Sequence, residues 1–174
     1  MGILGVRHWH VHFVVSMHTG INGRVDGPWG VPSTMKFLVI DNDQTCREAI
    51  CFLIEDEGHA ADGMAWSEQV WPKLKELQFD AVLLDVDMSR PDALGRISDL
   101  RMAHPDVQLV IVVIEQNLKM AVEAICRGVA DILEKPFRRE HLLLMMARLE
   151  RFRQLYRQLN HRAEKIEKNH CAAT

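Results

Sequence analysis

Short apolar runs that end in charged residues are the clearest feature of the hydrophobic pattern in this chain. Residues 81–84 form such a run and end at Asp85, and residues 37–40 form another that ends at Asp41. Residues 107–114 are a third run, rich in Val and Ile. Runs this short are typical of strands that are buried on both faces in the middle of a parallel sheet. The pattern therefore predicts a parallel sheet with carboxylates at the ends of its strands.

Apolar residues at helical spacing separate these runs, so that strand and helix alternate along the chain. Strands are predicted at residues 37–40, 59–64, 81–84, 107–114 and 130–133. Helices are predicted at residues 44–57, 67–77, 93–102 and 118–127, with a long final helix from residue 138. Ser67 is expected to cap the second helix, in which Pro72 predicts a kink or a late start. This alternation predicts an α/β fold, a doubly wound five-stranded parallel sheet with helices on both faces.

The pattern changes at both ends of the chain. Residues 1–34 are rich in Gly, Pro and His and are interpreted as an irregular extension, which leaves residues 35–149 as the predicted domain. Residues 150–174 are predicted to be a helical tail, because apolar residues continue there in the heptad repeat of the final helix. That repeat comprises Leu142, Met145, Leu149, Phe152, Tyr156, Leu159, Ala163 and Ile166.

The heptad repeat predicts a protein partner for the tail. We expect a parallel homodimer that is joined through Leu149, Phe152, Tyr156 and Leu159, and the alternative is a solvated helix that frays past Leu159. The formal net charge is -3, yet residues 138–168 carry nine Arg or Lys and four Glu, a surplus of +5. Such a basic segment can contact nucleic acid, but no separate nucleic-acid-binding fold follows it. A second copy of the chain is therefore favoured over nucleic acid.

The cysteines and the hydropathy pattern indicate the cellular compartment in which the protein is expected. The four cysteines lack the paired spacing of zinc or redox motifs. Cys46, Cys51 and Cys126 lie within apolar patterns and are predicted to be buried free thiols, which favours a reducing environment. No apolar run is long enough to span a membrane. We therefore expect a cytoplasmic protein with no membrane partner.

Charged side chains at the strand ends are the candidate site. If the strands at residues 37–40, 81–84 and 130–133 are parallel neighbours, their carboxyl ends share one edge of the sheet, where ligands bind in such folds. Asp41, Asp85 and Lys135 would then lie together. Carboxylate or amide oxygens beside a lysine suit Mg²⁺ together with an anion, the chemistry of a carboxylate that accepts a phosphoryl group. No glycine-rich phosphate loop, nucleophile elbow or Cys/His pair indicates an enzyme.

Four motifs resemble the receiver domain of two-component response regulators. They are Val-Ile-Asp-Asn-Asp at residues 39–43, Leu-Leu-Asp-Val-Asp-Met at 83–88, Ala124 with Gly128, and Lys-Pro-Phe at 135–137. The resemblance covers about residues 36–149 and rests on the order and spacing of the motifs. It implies the flavodoxin-like receiver fold.

The resemblance also implies a role for each site residue. Asp85 would be the phosphoacceptor, with a histidine kinase or a phosphotransfer protein as the donor. Asp41, Asn42, Asp85 and the backbone carbonyl of Val86 would hold Mg²⁺. Lys135 would contact the phosphoryl oxygens, and the signal would pass to another protein or to an output domain absent from this chain.

Several positions depart from the pattern of the family. Asn42 stands where the family usually has an acidic residue, Val113 where it has Ser or Thr, and Ile132 where it often has an aromatic residue. Val113 cannot donate a hydrogen bond to an acyl phosphate, and Ile132 stands at the position of the aromatic residue that often moves with that contact, so both are degenerate switch positions. Asn42 and Val113 motivate an alternative function, a phosphorylation-independent pseudo-receiver that acts as a dimerisation or protein-interaction module.

Overall fold

The computed structural model describes residues 34–87, 92–114 and 118–171. The irregular extension predicted for residues 1–34 lies, apart from Thr34, outside the described residues. The strands are β1 (Lys36–Ile40), β2 (Ala60–Met64), β3 (Ala81–Asp85), β4 (Gln108–Val113) and β5 (Asp131–Glu134). The helices are α1 (Gln44–Asp56), α2 (Val70–Glu76), α3 (Ala93–Ala103), α4 (Leu118–Cys126) and α5 (Arg139–Cys171).

The five strands form one parallel sheet in the order β2-β1-β3-β4-β5. The predicted doubly wound parallel fold is therefore confirmed, with β2 at one edge. Because β1, β3, β4 and β5 run in the same direction, the residues that follow them meet at one edge of the sheet. The register pairs Ile40 of β1 with Leu84 of β3 and Asp85 with Val112 of β4, which brings the chain beyond each strand to the same level.

Both faces of the sheet are buried. On one face, alternate strand residues such as Leu38, Ile40, Val82, Leu84, Ile111 and Val113 pack against Val70, Leu74, Ile97, Leu100 and Ala124 of α2, α3 and α4. The intervening residues Phe37, Val39, Leu83 and Val110 are also buried, as are Ile50 and Ile54 of α1 and Leu142 and Met145 of α5. Strand side chains alternate between faces, so apolar runs in β1, β3 and β4 supply both layers of the core.

The second helix begins later than Ser67. α2 starts at Val70, whose N–H donates to the backbone carbonyl of Ser67 at 3.1 Å, and no side chain caps the helix. Pro72 therefore lies in the first turn, where its missing N–H has no partner within a helix anyway. Leu77 follows the helix in an extended conformation and is partly exposed. The predicted late start is confirmed, and the predicted cap is wrong.

The prediction of buried thiols is wrong for Cys126. Cys126 is exposed at the end of α4, and Cys46 and Cys51 of α1 are half-buried. α4 turns Ala124 to the sheet and leaves its neighbour Ile125 exposed, so an apolar sequence in this short helix does not mean burial. Within the described ranges, no helix is long and apolar enough to cross a membrane.

Helix α5 packs on the sheet and then continues beyond it. Leu149, predicted for the dimer seam, is buried in the domain, and its carbonyl accepts a hydrogen bond from Gln108 Nε2 at 3.0 Å. The prediction is wrong for this residue because α5 is still in contact with the sheet here. Arg153, one turn later, is also buried and forms an ion pair with Asp80 at 2.8 Å. Contacts with the domain therefore extend past residue 150.

His59 lies near the start of β2, beside the first residues of β1. Its Nδ1 accepts a hydrogen bond from the backbone N–H of Met35 at 3.3 Å, and its ring lies 5.7 Å from that of Phe37 between centroids. Burial lowers the pKa of His59, and the charges of Glu150 and Arg153 on α5 act on it with opposite signs. The neutral ring is therefore the form that suits the folded domain.

Replacing His59 with Asn should reduce the sensitivity of the fold to acid. The pKa of His59 in the folded state is below its ordinary value of 6.5, so its contribution is present above that value and is lost as the pH falls through the folded-state pKa. We expect the unfolding free energy of the parent to fall more steeply than that of His59→Asn between about pH 7 and pH 5. Denaturant unfolding at a series of pH values measures the difference. The exposed His161→Asn serves as the matched control and should follow the parent, whereas parallel curves for His59→Asn and the parent would contradict this role.

Candidate functional site

Asp41, Asp85 and Lys135 come together at the carboxyl edge of the sheet, as the sequence predicts. Lys135 Nζ donates to Asp41 Oδ2 at 2.8 Å and to Asp85 Oδ1 at 2.7 Å. Asp41 follows β1, Asp85 is the last residue of β3, and Lys135 follows β5. The backbone N–H of Lys135 also donates to the carbonyl of Val113 at the end of β4, 2.6 Å away. Sheet pairing therefore fixes the position from which the ammonium reaches both carboxylates.

Burial differs among the three charged side chains. The side chains of Asp41, Lys135 and Asp85 are 2%, 11% and 27% exposed, so Asp85 is the most accessible of the three. Burial raises the pKa of Asp85, the hydrogen bond from Lys135 opposes that shift, and the charge of Asp41 adds to it. Burial alone would lower the pKa of Lys135, but hydrogen bonds with Asp41 and Asp85 outweigh it and raise the pKa. Lys135 is therefore charged at neutral pH.

The loop between β1 and α1 holds Asp41 in place. The N–H of Asp43 donates to Asp41 Oδ1 at 2.8 Å, and the carboxylate of Asp43 accepts the N–H of Cys46 at 3.1 Å as the cap of α1. Arg47 Nη1 donates to the backbone carbonyl of Asp41 at 2.5 Å. Asp43 is thus a helix cap, a local role that its position just before an amphipathic helix could have indicated. The role of Arg47 could not be read from the pattern.

Cys46 is a neighbour of the site that the sequence did not reveal. Burial raises the pKa of its thiol to about 12, and the charges of Lys135 and Asp41 act on the thiol in opposite directions. The thiol is therefore protonated at neutral pH and belongs to the polar surroundings of the ammonium.

Asn42 is exposed and turns its amide oxygen to another loop. Asn42 Oδ1 accepts a hydrogen bond from the backbone N–H of Trp66 at 3.0 Å, in the loop that follows β2. Asn42 directly follows Asp41 in the sequence, yet its side-chain oxygen is bonded to the backbone of Trp66 and not to the charged residues of the site. This contact joins residues 24 positions apart, and no sequence signal predicted it.

Val86 directly follows β3, and Val113 and Ile132 lie in β4 and β5. The N–H of Val86 donates to the carbonyl of Val112 at 2.9 Å, and its side chain is buried. Val113 is buried, and Ile132 packs against the core face that contains Val113. Both switch positions are therefore apolar packing positions. Among the described residues, no group of three or more His, Cys, Asp or Glu side chains is arranged to hold a metal ion.

Comparisons with known proteins bear on this site. A family model for the response regulator receiver domain matches residues 37–147. An NtrX-like response regulator of Rickettsia bellii is 30% identical over 118 residues, which cover 67% of this chain and 25% of that protein. The C4-dicarboxylate response regulator DctR of Halalkalibacterium halodurans is 30% identical over 132 residues, 75% of this chain and 56% of that protein. The chain therefore spans only about a quarter of the length of the first of these relatives.

Solved structures give the same assignment. NtrX from Brucella abortus superposes with a TM-score of 0.68 and 26% identity over 74% of this chain and 29% of that protein. Residues 37–147, which match the family model, make up well over half of the chain and include Asp41, Asp85 and Lys135. The chain belongs to the response regulator receiver domain family.

Proposed function

We propose that Asp85 accepts a phosphoryl group from a histidine kinase or a phosphotransfer protein, in a Mg²⁺-dependent two-component phosphorelay. The contact between Lys135 Nζ and Asp85 Oδ1, 2.7 Å long at an accessible edge of the sheet, is the observation that carries this proposal. Membership of the receiver family supports it. Asp85 is the more exposed of the two carboxylates that Lys135 contacts, and it is therefore the one that a donor can reach.

The chemistry follows from the charges at the site. A carboxylate oxygen of Asp85 would attack the phosphorus of a phosphohistidine, the P–N bond would break, and the leaving imidazole nitrogen would take up a proton. The product is an acyl phosphate on Asp85. Charge on the phosphoryl oxygens must be neutralised during such a transfer, and the ammonium of Lys135 is already within hydrogen-bonding distance of the acceptor carboxylate. Lys135 thus serves as a fixed cation for the phosphoryl group.

The oxygen donors at the site fit a hard divalent cation. The carboxylates of Asp41 and Asp85 and the backbone carbonyl of Val86 are the ligand types that Mg²⁺ prefers, and Mg²⁺ usually keeps several waters. Asn42 could add its amide oxygen, which in this structure accepts a hydrogen bond from the N–H of Trp66 at 3.0 Å. When bound, the cation would supply further positive charge beside the phosphoryl oxygens.

Acetyl phosphate tests the phosphoacceptor directly. Incubation of the chain with MgCl₂ and acetyl phosphate should add the mass of one phosphoryl group, measured by intact-protein mass spectrometry. Asp85→Ala should abolish the addition, because it removes the attacking oxygen. Lys135→Met should slow it by at least about tenfold, since loss of the fixed cation removes more than 1.4 kcal/mol of charge stabilisation.

A carboxylate elsewhere in the sheet provides the matched control. Asp62 of β2 lies near Lys36 and Lys73, at 3.9 and 3.8 Å, and Asp62→Asn should be phosphorylated like the parent. An unmodified parent, or equal yields in the parent and Asp85→Ala, would refute the proposed role of Asp85.

The exposed side of the tail supports a homodimer. Phe152, Tyr156 and Leu159 are 60%, 48% and 62% exposed, and the rings of Phe152 and Tyr156 stack with their centroids 6.5 Å apart. Their stripe continues along α5 from Leu149, which is itself buried in the domain. A solved relative, the beryllofluoride-activated NtrC4 receiver domain, is a dimer and is 28% identical with a TM-score of 0.60 over 67% of this chain. We infer that a second copy of the chain covers the stripe.

Replacing the stripe residues should separate the dimer. Burial of each large apolar side chain contributes about 1.5–3 kcal/mol, so Phe152→Ala/Leu159→Ala should be monomeric where the parent is dimeric in light scattering. Leu144→Ala is the matched control, because Leu144 is an exposed leucine of α5 within the part that packs on the sheet. A parent that is monomeric at tens of micromolar would contradict the dimer, and a dimer broken by Leu144→Ala alone would place the interface elsewhere.

A phosphorylation-independent interaction module remains the second candidate. The hydrogen bond between Asn42 and Trp66 and the buried Val113 favour it, because they remove a free metal ligand and a polar switch residue. In that case the partner would be another protein or an output domain on a longer chain, with no phosphoryl donor. Calorimetric titration with MgCl₂ distinguishes the candidates, since absence of binding up to millimolar concentrations favours the module.

A further inference from the structure

The loop that follows β2 is docked beside the site through Trp66. Arg96 of α3 lies over the Trp66 ring, 4.6 Å from its centroid, and forms an ion pair with Asp92 at 2.8 Å. The ring of Trp71 meets the Trp66 ring edge to face, with 6.1 Å between centroids. These contacts hold the Trp66 backbone in position to donate its N–H to Asn42. The loop is therefore attached to α2, to α3 and to the residue next to Asp41.

The order of the strands places the contact between Asn42 and Trp66 on the opposite side of β1 from Asp85. β2 and its loop lie on one side of β1, and β3 with Asp85 lies on the other. Asn42 directs its oxygen toward the loop after β2, whereas the neighbouring Asp41 meets Lys135 and is buried. To approach a cation that Asp41 and Asp85 share, the Asn42 oxygen would move toward the β3 side of β1, which is the direction away from Trp66.

We propose that Trp66 is a positioning residue that holds the Asn42 oxygen away from the cation, so that ligation by Asn42 and docking of the loop exclude each other. The inference rests on the proposed cation site and extends it to the β2–α2 loop and α3. Coupling between two binding events is reciprocal, so a cation that recruits Asn42 loosens Trp66, and a looser Trp66 tightens cation binding. The position of the loop would thereby depend on whether a cation is bound, although the switch position 113 is a valine and not a polar residue.

The reciprocal effect gives a measurable change in affinity. Arg96→Met removes the cation above the Trp66 ring, a contact whose usual contribution corresponds to about a two- to five-fold change in an equilibrium constant. Arg96→Met should therefore bind Mg²⁺ about two- to five-fold more tightly than the parent, and Arg96→Lys, which keeps the cation, should restore much of the parent affinity. In Asn42→Ala the effect of Arg96→Met should vanish, because the residue that couples the two sites is gone.

Selective ¹⁵N-tryptophan labelling observes the loop itself. The chain has four tryptophans, and Trp66→Phe assigns the Trp66 backbone amide among their signals. On titration with MgCl₂ the Trp66 amide should shift and saturate with the calorimetric binding curve. Trp71 is the internal control, since its N–H donates to the carbonyl of Glu68 at 3.4 Å and should move much less.

The possible outcomes separate this inference from the proposed function. Calorimetric binding of Mg²⁺ with an unmoved Trp66 amide, or with equal affinities in the parent and Arg96→Met, overturns the coupling and leaves the cation site intact. Absence of Mg²⁺ binding overturns both the cation site and the coupling. If Arg96→Met does not fold, the amide titration of the parent decides alone.

Discussion

The salt bridge that Lys135 forms with Asp41 and Asp85 is the constraint on which the site depends. Buried carboxylates are costly unless they are paired, and one ammonium satisfies both at 2.8 and 2.7 Å. The three residues follow different strands, so their meeting requires the correct order of β1, β3, β4 and β5. A fold with another strand order would leave Asp41 buried without its cation.

The same constraint separates the roles of the two carboxylates. Asp41 is almost fully buried and is held by the N–H of Asp43 and by Lys135, so it is a fixed acceptor. Asp85 is more exposed, and its raised pKa shows that burial and the charge of Asp41 outweigh the help of Lys135. A cation added beside Asp85 would favour its ionised form.

Much of the fold and of the charged site could be predicted because both depend on local pattern. Apolar runs in β1, β3 and β4 are continuous because both faces of these strands are buried, and Asp41, Asp85 and Lys135 follow from the common direction of the strands. The heptad pattern, however, could not show where α5 leaves the sheet. Leu149 satisfies the same spacing as Phe152, but only Leu149 has a sheet beneath it.

Contacts between loops that are far apart in the sequence could not be predicted from the sequence. The pairing of Asn42 with Trp66 depends on β2 lying next to β1, and alternation of strands and helices does not specify which neighbours a strand has. Arg47 and Cys46 reach the site from the first turns of α1, where helical periodicity suggests only a half-buried face. The local pattern thus locates the charged centre, whereas its surroundings depend on tertiary packing.

The pKa of Asp85, followed by carboxyl ¹³C NMR in the parent and in Lys135→Met, tests the central claim most directly. We expect a pKa above the ordinary value of an aspartate in the parent, because burial outweighs the hydrogen bond from Lys135. We expect a further rise in Lys135→Met, since the stabilising ammonium is then absent while Asp41 remains. An ordinary pKa in the parent that does not change in Lys135→Met would contradict the claim that this salt bridge organises the site.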